Sequence, residues 1–595
     1  MRVAVIDIEA DSLQPKQIYC CVVLDAQTKK HRVYCKPKDL QLLLDTYDRV
    51  VAHNGIEFDF PVLARLWHVY IPFSKQYDTL VLSRLADQQR ATGHSLEAWG
   101  KELGVYKQDF EDWSHLSLEM CRYCKQDTTV TLAVYNAIQK LLEGFSEESI
   151  KAELRTQRLL YKQRQNGFKL DVEGALNLKA QIDKEYSELI VTLLEDFPPR
   201  KVITGQWTIK RNKAGEPNAV SRRIMESDRV EPTEDPEVYN KVEYKEFCID
   251  SPSEIVARLE PYWHPVIWNK PSKKNPDRPC TPKVCLENLE TVDENAPQSI
   301  KNIVKCKVLK SRSTLIQSFL DACGPDGRVH GKVFSIGSVT HRMSHNNPNT
   351  ANIPSRGLYG KECRALWCTD KGRKIVGCDA SGIQLRAFAH YLKDTDLIHQ
   401  ILHGDIHVYM AKMYGLLDKN AVYDESIPEH KQARNRGKTT TYSILMGAGV
   451  AKVGQIVEGD GRKVMKSLER NVKGWSKFKK EIEYRARLGY MTAIDGSQVQ
   501  LKSAHFGMSC YLQSFEQAVV KWVMYEAFKR LTKLGVDFKQ VAVVHDEIQY
   551  DVREDQAELL GQTVRQCFVD AGKHFKTLCP LDGEYNIGNN WSESH

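Results

Sequence analysis

RKIVGCDASGIQLR, residues 373–386, decides the fold. Its first half, Arg373–Ala380, is a short apolar run that reads as a strand with Asp379 at its end. A second stretch, VAVVHDEIQYDV (Val541–Val552), reads as strand, tight turn, strand, and sets His545, Asp546 and Glu547 in a hairpin. Between the two, Arg434, Lys438, Tyr442 and Met446 recur every four residues and line one stripe of a helix. Ser426-Ile-Pro-Glu429 fits a capping box with proline in the first turn. A helix is therefore expected from there to Met446, stopped by Gly447 and Gly449. Nucleotidyl transfer needs this division of labour. Carboxylates on rigid strands, Asp379 and Asp546, can hold two divalent cations. Arg434 and Lys438 can grip a triphosphate, and the aromatic ring further along can face a base. Lys438 is placed to neutralise a leaving pyrophosphate or to donate a proton. An HDE hairpin or a basic stripe is common by itself; the three blocks in this order are specific.

Towards the N-terminus, VAVIDIEA (Val3–Ala10) is an apolar run with embedded acids, consistent with a buried strand. Tyr19–Ala26 and Val50–Gly55 follow as strands, and helical patterns dominate to about Leu142. The alternation predicts an α/β domain over residues 1–148. Asp7 and Glu9 are two apart and share a strand face. Asp59 follows a strand in HNGIEFD, and Tyr123 and Asp127, four apart, share a helix face. Four acids and a tyrosine drawn from separate elements can converge on two Mg²⁺ ions, or Mn²⁺ in their place, and hydrolyse a phosphodiester. A long amphipathic helix is expected over Ile150–Asn166. Residues 197–296, rich in Pro, Lys and Glu with weak periodicity, read as an inserted flexible subdomain without a core.

The remaining signals bound the answer. At 595 residues, with 42% hydrophobic and 27% charged residues, the chain is a multidomain globular protein. No apolar run of about 18 residues occurs, which argues against a membrane partner, and the carboxylates by position 7 do not fit a signal peptide. Sixteen cysteines without a secretory signal read as reduced cytosolic thiols, and Cys121-x-x-Cys124 lacks a second pair at zinc-finger distance. A net charge of +7 permits a polyanion partner. Basic clusters within Arg200–Arg223 and Ser272–Lys283 are candidates for tracking phosphates, or are solvated loops.

The C-terminal blocks resemble motifs A, B and C of family-A DNA polymerases of the phage T7 type. The N-terminal constellation resembles the DEDD proofreading exonucleases, in the variant with tyrosine at the third motif. Lys310–Thr314, Asp326–His330, Val339–Ser344, Pro348-Asn349 and Ile353-Pro354 look like that family's thumb-to-palm stretch, and GNNWSESH looks like the end of the T7-type subgroup. The resemblance implies an α/β multidomain fold, an RNase H-like exonuclease domain (1–148) joined to a right-hand polymerase. It places a thumb at 149–345, palm at 346–395 and 490–595, and fingers at 396–489. It implies that Asp379, the Ala380 carbonyl and Asp546 bind catalytic metals. Arg434 and Lys438 then bind the triphosphate, and Tyr442, Gln384 and Met446 line the nucleotide pocket. Arg312, Arg342, Gln513, His545 and Glu547 face primer–template. Asp7, Glu9, Asp59 and Asp127 hold the nuclease metals, with Tyr123 orienting the attacking water. Expected partners are primer–template DNA and deoxynucleoside triphosphates, in a host bacterial cytoplasm. At residues 197–296 the choice stays open between a docking place for a processivity factor or replisome protein and a longer DNA track.

Two positions depart from the family together. Gln384 stands where Glu is usual and Met446 where Tyr is usual, and in the family those side chains bond each other and gate against a ribose 2′-OH. A neutral Gln is cheaper to leave unpaired than a carboxylate. One reading keeps Gln384 as a bulk gate; the other tunes the pocket to a modified base such as 2-aminoadenine, for which a flexible Met would suit. SGIQ (381–384) also looks like motif A of single-subunit phage RNA polymerases, an alternative that the exonuclease constellation and HDE oppose. His341, where Gly is usual, and Ser509, where Asn is usual, are further departures.

Overall fold

The computed structural model describes residues 1–271 and 279–595, in two compact units. The first comprises residues 1–170, 322–353 and 367–595, and the second 171–321 and 354–366. The KKNPDR run marked for phosphate tracking lies outside the described residues.

The first unit begins with a five-stranded sheet, β1 (Val3–Ala10), β2 (Ile18–Asp25), β3 (His31–Tyr34), β4 (Arg49–Ala52) and β5 (Gln76–Asp78), in the order β3-β2-β1-β4-β5. β1 runs antiparallel to β2 and parallel to β4. Val3, Ala4, Val5, Ile6 and Ile8 are all buried, as a central strand covered on both faces requires. Helices α1 (Asp59–Trp67), α2 (Leu118–Leu141) and α3 (Glu147–Asn166) follow. Serine hydroxyls cap the last two, Ser117 accepting from Met120 N and Ser146 from Ser149 N.

The second unit corrects the expectation that residues 197–296 lack a core. Helices α4 (Val172–Asp196) and α5 (Gln298–Ala322) share an apolar cluster with Phe247, Ile249, Ile255, Leu259, Trp263 and Leu289. A sheet of β6 (Arg200–Thr208), β7 (Val230–Pro232) and β8 (Val238–Lys245), in the order β6-β8-β7, belongs to the same unit. The core residues sit in short stretches, Phe247 and Ile249 two apart and Ile255 and Leu259 four apart, too brief to read as a long periodic run. Buried Asn288 takes the place of a regular scaffold: its amide accepts from Val266 N and Ile267 N and donates to the Ile267 and Lys283 carbonyls. Of the basic cluster near residue 200, Arg200 pairs with Glu254 at 3.0 Å, Lys201 with Glu231 and Arg211 with Glu237. Those three cations are already matched.

In the C-terminal part of the first unit, β9 (Arg373–Ala380), β10 (Phe538–Val544), β11 (Glu547–Arg553) and β12 (Gly583–Gly588) form one sheet in the order β10-β11-β9-β12. β9 is antiparallel to both its neighbours, with Asp379 opposite Glu547 and Glu584. Around it lie α6 (Ile383–Leu392), α7 (Ile406–Tyr414), α8 (Pro428–Leu445), α9 (Gly507–Lys533) and α10 (Ala557–His574). Gly437 lets α7 and α8 meet closely: a Cβ there would stand 2.8 Å from Ala411 Cβ. The expected capping box on α8 is not formed. The helix opens at Pro428 with Ile427 as its cap, and the Ser426 hydroxyl donates instead to Asp424 Oδ1 at 2.6 Å. Asp424 also accepts from Ser426 N, so the local turn takes the hydroxyl before the helix can.

Two candidate active sites

The first site forms where β1 meets α1 and α2. Ile8 N donates to Asp59 Oδ1 at 3.2 Å, tying the start of α1 to the strand that carries Asp7 and Glu9. Cys124 Sγ donates to Asp7 Oδ2 at 3.2 Å, and the ligand atoms of Asp7, Glu9 and Cys124 all lie within 4.8 Å of one another. Asp127, one helical turn past Tyr123, pairs with Lys107 Nζ at 2.6 Å. Lys107 also sits over the Tyr123 ring, 5.0 Å from its centroid, and Phe110 and Trp113 pack on that ring. Burial, reinforced by Asp127, pushes Asp7 up to about 7. Burial and then Asp7 push Glu9 up to about 10. Asp59 is raised well above its ordinary value by burial and by Asp7, and Asp127 is raised by burial against the pull of Lys107. These acids resist ionising together without further positive charge. Asp127 Oδ1 is buried with no hydrogen-bond partner, so the set fits divalent cations. Sequence reasoning missed Lys107, whose pairing bridges 20 residues of sequence. It also assigned no role to Cys124, although the thiol's place one residue beyond Tyr123 on α2 was open to view.

The second site lies at the end of the β9–β11 sheet. Asp379 ends β9, and Asp546 sits in the turn between β10 and β11, where His545 has a φ of 58°. Burial and then Glu547 push Asp379 up to about 6; burial and then Asp379 push Asp546 up to about 8, with Glu516 adding to it. Each is raised in part by a neighbouring acid, which again fits cations held between them. Glu547 is itself buried and has its own donors, Trp591 Nε1 at 2.8 Å and His595 Nδ1 at 3.0 Å. On α8, Arg434 pairs with Asp405 Oδ2 at 2.6 Å, Lys438 is exposed, and burial followed by Asp546 raises Tyr442. His407 faces this stripe, its ring 6.1 Å from that of Tyr442.

Three side chains of α9 tie the parts together. Gln513 accepts from Thr340 Oγ1 at 2.8 Å and donates to Met446 Sδ at 3.7 Å. Glu516 accepts from Gln384 Nε2 at 2.9 Å and from Arg342 Nη2 at 3.0 Å. Gln517 donates to the His545 carbonyl at 3.2 Å. Gln384 is therefore not unpaired, a correction to the sequence reading; Glu516, absent from the predicted set, supplies its partner. His341 has a φ of 61°, a left-handed conformation that costs a side-chain-bearing residue about 1–2 kcal/mol and explains why Gly suits the position. The buried ring is held by Gln88 Nε2 at 3.0 Å and Ser497 Oγ at 3.4 Å. Arg312 is buried within the second unit, donating to the Leu358 carbonyl at 3.2 Å.

No described helix is long and apolar enough to cross a membrane. A family model for the RNase H superfamily matches residues 4–139. The DNA-directed DNA polymerase of Escherichia phage T7 is 28% identical over 99% of both chains, and that of Enterobacteria phage T3 likewise. The thermostable DNA polymerase I of Thermus aquaticus is 25% identical over 51% of this chain and 37% of its own. Among solved structures, the polymerase domain of Pol1 from M. smegmatis, in complex with DNA primer-template and dNTP, superposes with a TM-score of 0.75 at 16% identity, covering 100% of this chain and 96% of that one. With the family model for DNA polymerase family A matching residues 225–593, the chain belongs to that family and is a DNA-directed DNA polymerase carrying an RNase H-like domain.

Proposed function

We propose that the chain replicates a phage genome in the host cytoplasm, extending primers at Asp379 and Asp546 and proofreading 3′ ends at Asp7, Glu9, Asp59 and Asp127. The observation that carries this reading is the pair of separate acid clusters, each buried and crowded with like charge, so that its acids are raised in pKa. Two Mg²⁺ ions per cluster would supply positive charge and stabilise attacking and leaving oxygens. Asp379, the Ala380 carbonyl and Asp546 would hold them at one site, and the four nuclease acids at the other. Arg434 and exposed Lys438 bind the triphosphate, and Lys438 neutralises the departing pyrophosphate. Tyr442 and Met446 bound the base, while Arg342, Gln513 and His545 face primer–template. In the nuclease, Tyr123 orients the attacking water, its ring held between Lys107 and the Phe110–Trp113 pair.

The test is two variants on one primed template with Mg²⁺. Asp546→Ala is expected to lower extension by at least about 1,000-fold while 3′-end degradation continues. Asp7→Ala with Glu9→Ala is expected to do the reverse. Loss of both activities in either variant would refute the split. Met446 is 47% exposed, and this adaptable wall supports the finer reading of a pocket tuned to a modified base. The matching of Arg200, Lys201 and Arg211 to acids in the second unit favours a protein partner such as a processivity factor there over a bare DNA track.

A further inference from the structure

Gln513, Glu516 and Gln517 are spaced i, i+3 and i+4 on α9 and so share one face. Each ties down a different part of the polymerase site: the end of the α8 stripe through Met446, the first turn of α6 through Gln384, and the catalytic hairpin through the His545 carbonyl. Of the three, only Glu516 is charged, and it is 1% exposed. A carboxylate so deep needs donors on all sides. Arg342 supplies two, Nε at 3.2 Å and Nη2 at 3.0 Å, and Gln517 a third at 3.3 Å. The other oxygen takes Gln384 Nε2 at 2.9 Å.

That last bond dictates what residue 384 can be. A Glu at 384 would set two carboxylates face to face, whereas a Gln of the same shape donates. Gln384 and Glu516 are thus a matched pair, and the bond fixes the amide's orientation, because a flipped amide would turn its own oxygen onto a carboxylate. With Nε2 engaged, the Gln384 side chain is held in place by a buried anchor, so its bulk is fixed rather than free to swing aside. A nucleotide with its outer phosphates on Arg434 and Lys438 and its reacting phosphate at Asp379 and Asp546 must bring its sugar in between the first turn of α6 and the end of α8. Tyr442 and Gln384 stand there.

We propose that Glu516 is a positioning residue for sugar selection: by clamping the Gln384 amide it fixes the side chain that meets the 2′ edge of the incoming nucleotide. The inference rests on the nucleotide placement proposed above. It differs from a gate made by residue 384 alone, because the selectivity resides in a pair whose two members can be exchanged.

The experiment compares single-nucleotide insertion of a dNTP and its rNTP by the full chain and by Glu516→Gln, Gln384→Glu and the double variant. In Glu516→Gln the ratio of kcat/KM for rNTP to that for dNTP is expected to rise about tenfold, mostly through a lower KM for rNTP. Gln384→Glu, with its facing carboxylates, is expected to lower kcat/KM for dNTP by about 30-fold or more. The double variant restores a donor opposite an acceptor and should recover most of both losses. A selectivity ratio in Glu516→Gln equal to that of the parent would overturn the proposal, as would a double variant no better than Gln384→Glu. Rescue separates positioning from mere folding, since a scaffold defect in Glu516→Gln would add to that of Gln384→Glu. If dNTP insertion by the parent survived Asp546→Ala, the nucleotide placement itself would fail instead.

Discussion

The nuclease and polymerase clusters use the same side chain in opposite ways. At the nuclease site the acids crowd one another, with Lys107 as the cation ion-paired among them and Glu9 pushed up to about 10. At the polymerase site the surplus acids are matched within the protein. Glu516 has Arg342, and Glu547 has Trp591 and His595, which leaves Asp379 and Asp546, pushed up to about 6 and 8. The nuclease acids share one ion-paired cation, whereas the surplus acids at the polymerase end each have donors of their own.

Three measurements would break or sharpen that contrast. Lys107→Met removes the nuclease cluster's paired cation and the charge over Tyr123. It should lower 3′-end degradation by about 10- to 100-fold, measured as release of the terminal nucleotide, while extension stays within a few-fold. Equal loss of both activities would erase the distinction. The second is thermal. Acids whose folded pKa lies above their unfolded value contribute stability that is complete below about 4 and is lost as pH climbs from there to the folded values, which reach about 6 for Asp379 and about 10 for Glu9. Without divalent ions the unfolding temperature should fall across that range. Mg²⁺ should restore a few degrees at pH 8.5 and little at pH 5.5, and Asp7→Asn with Glu9→Gln should remove more of this response than Asp546→Asn. A larger Mg²⁺ response lost with Asp546→Asn would reverse the comparison. The smallest effect concerns the base. In competitive extension opposite template thymine, a pocket tuned to 2-aminoadenine should favour 2-amino-dATP over dATP by about 3- to 10-fold, and parity would leave Met446 as ordinary wall.

Much of each cluster was legible in the sequence. Asp7 and Glu9 share β1, Asp379 ends β9, and the HDE turn joins two strands, because these placements follow from local periodicity. What balances the acids was not. Arg342 and Glu516 are 174 residues apart, Glu547 and His595 are 48, and nothing local marks Glu516, mid-helix among buried neighbours, as different from a core position. The core around Asn288 escaped for a related reason. Its order comes from one amide satisfying four backbone groups, a polar device with no hydrophobic period to read.

The register of β9 also sets a timetable. All five strands of the N-terminal sheet lie within the first 78 residues, so that sheet can close on local contacts as the chain leaves the ribosome. β9 must wait for β11 and β12, which bring Glu547 and Glu584 opposite Asp379. A nascent chain interrupted between them would hold a finished RNase H-like sheet beside an unfinished polymerase one, so the two halves of the enzyme mature in chain order.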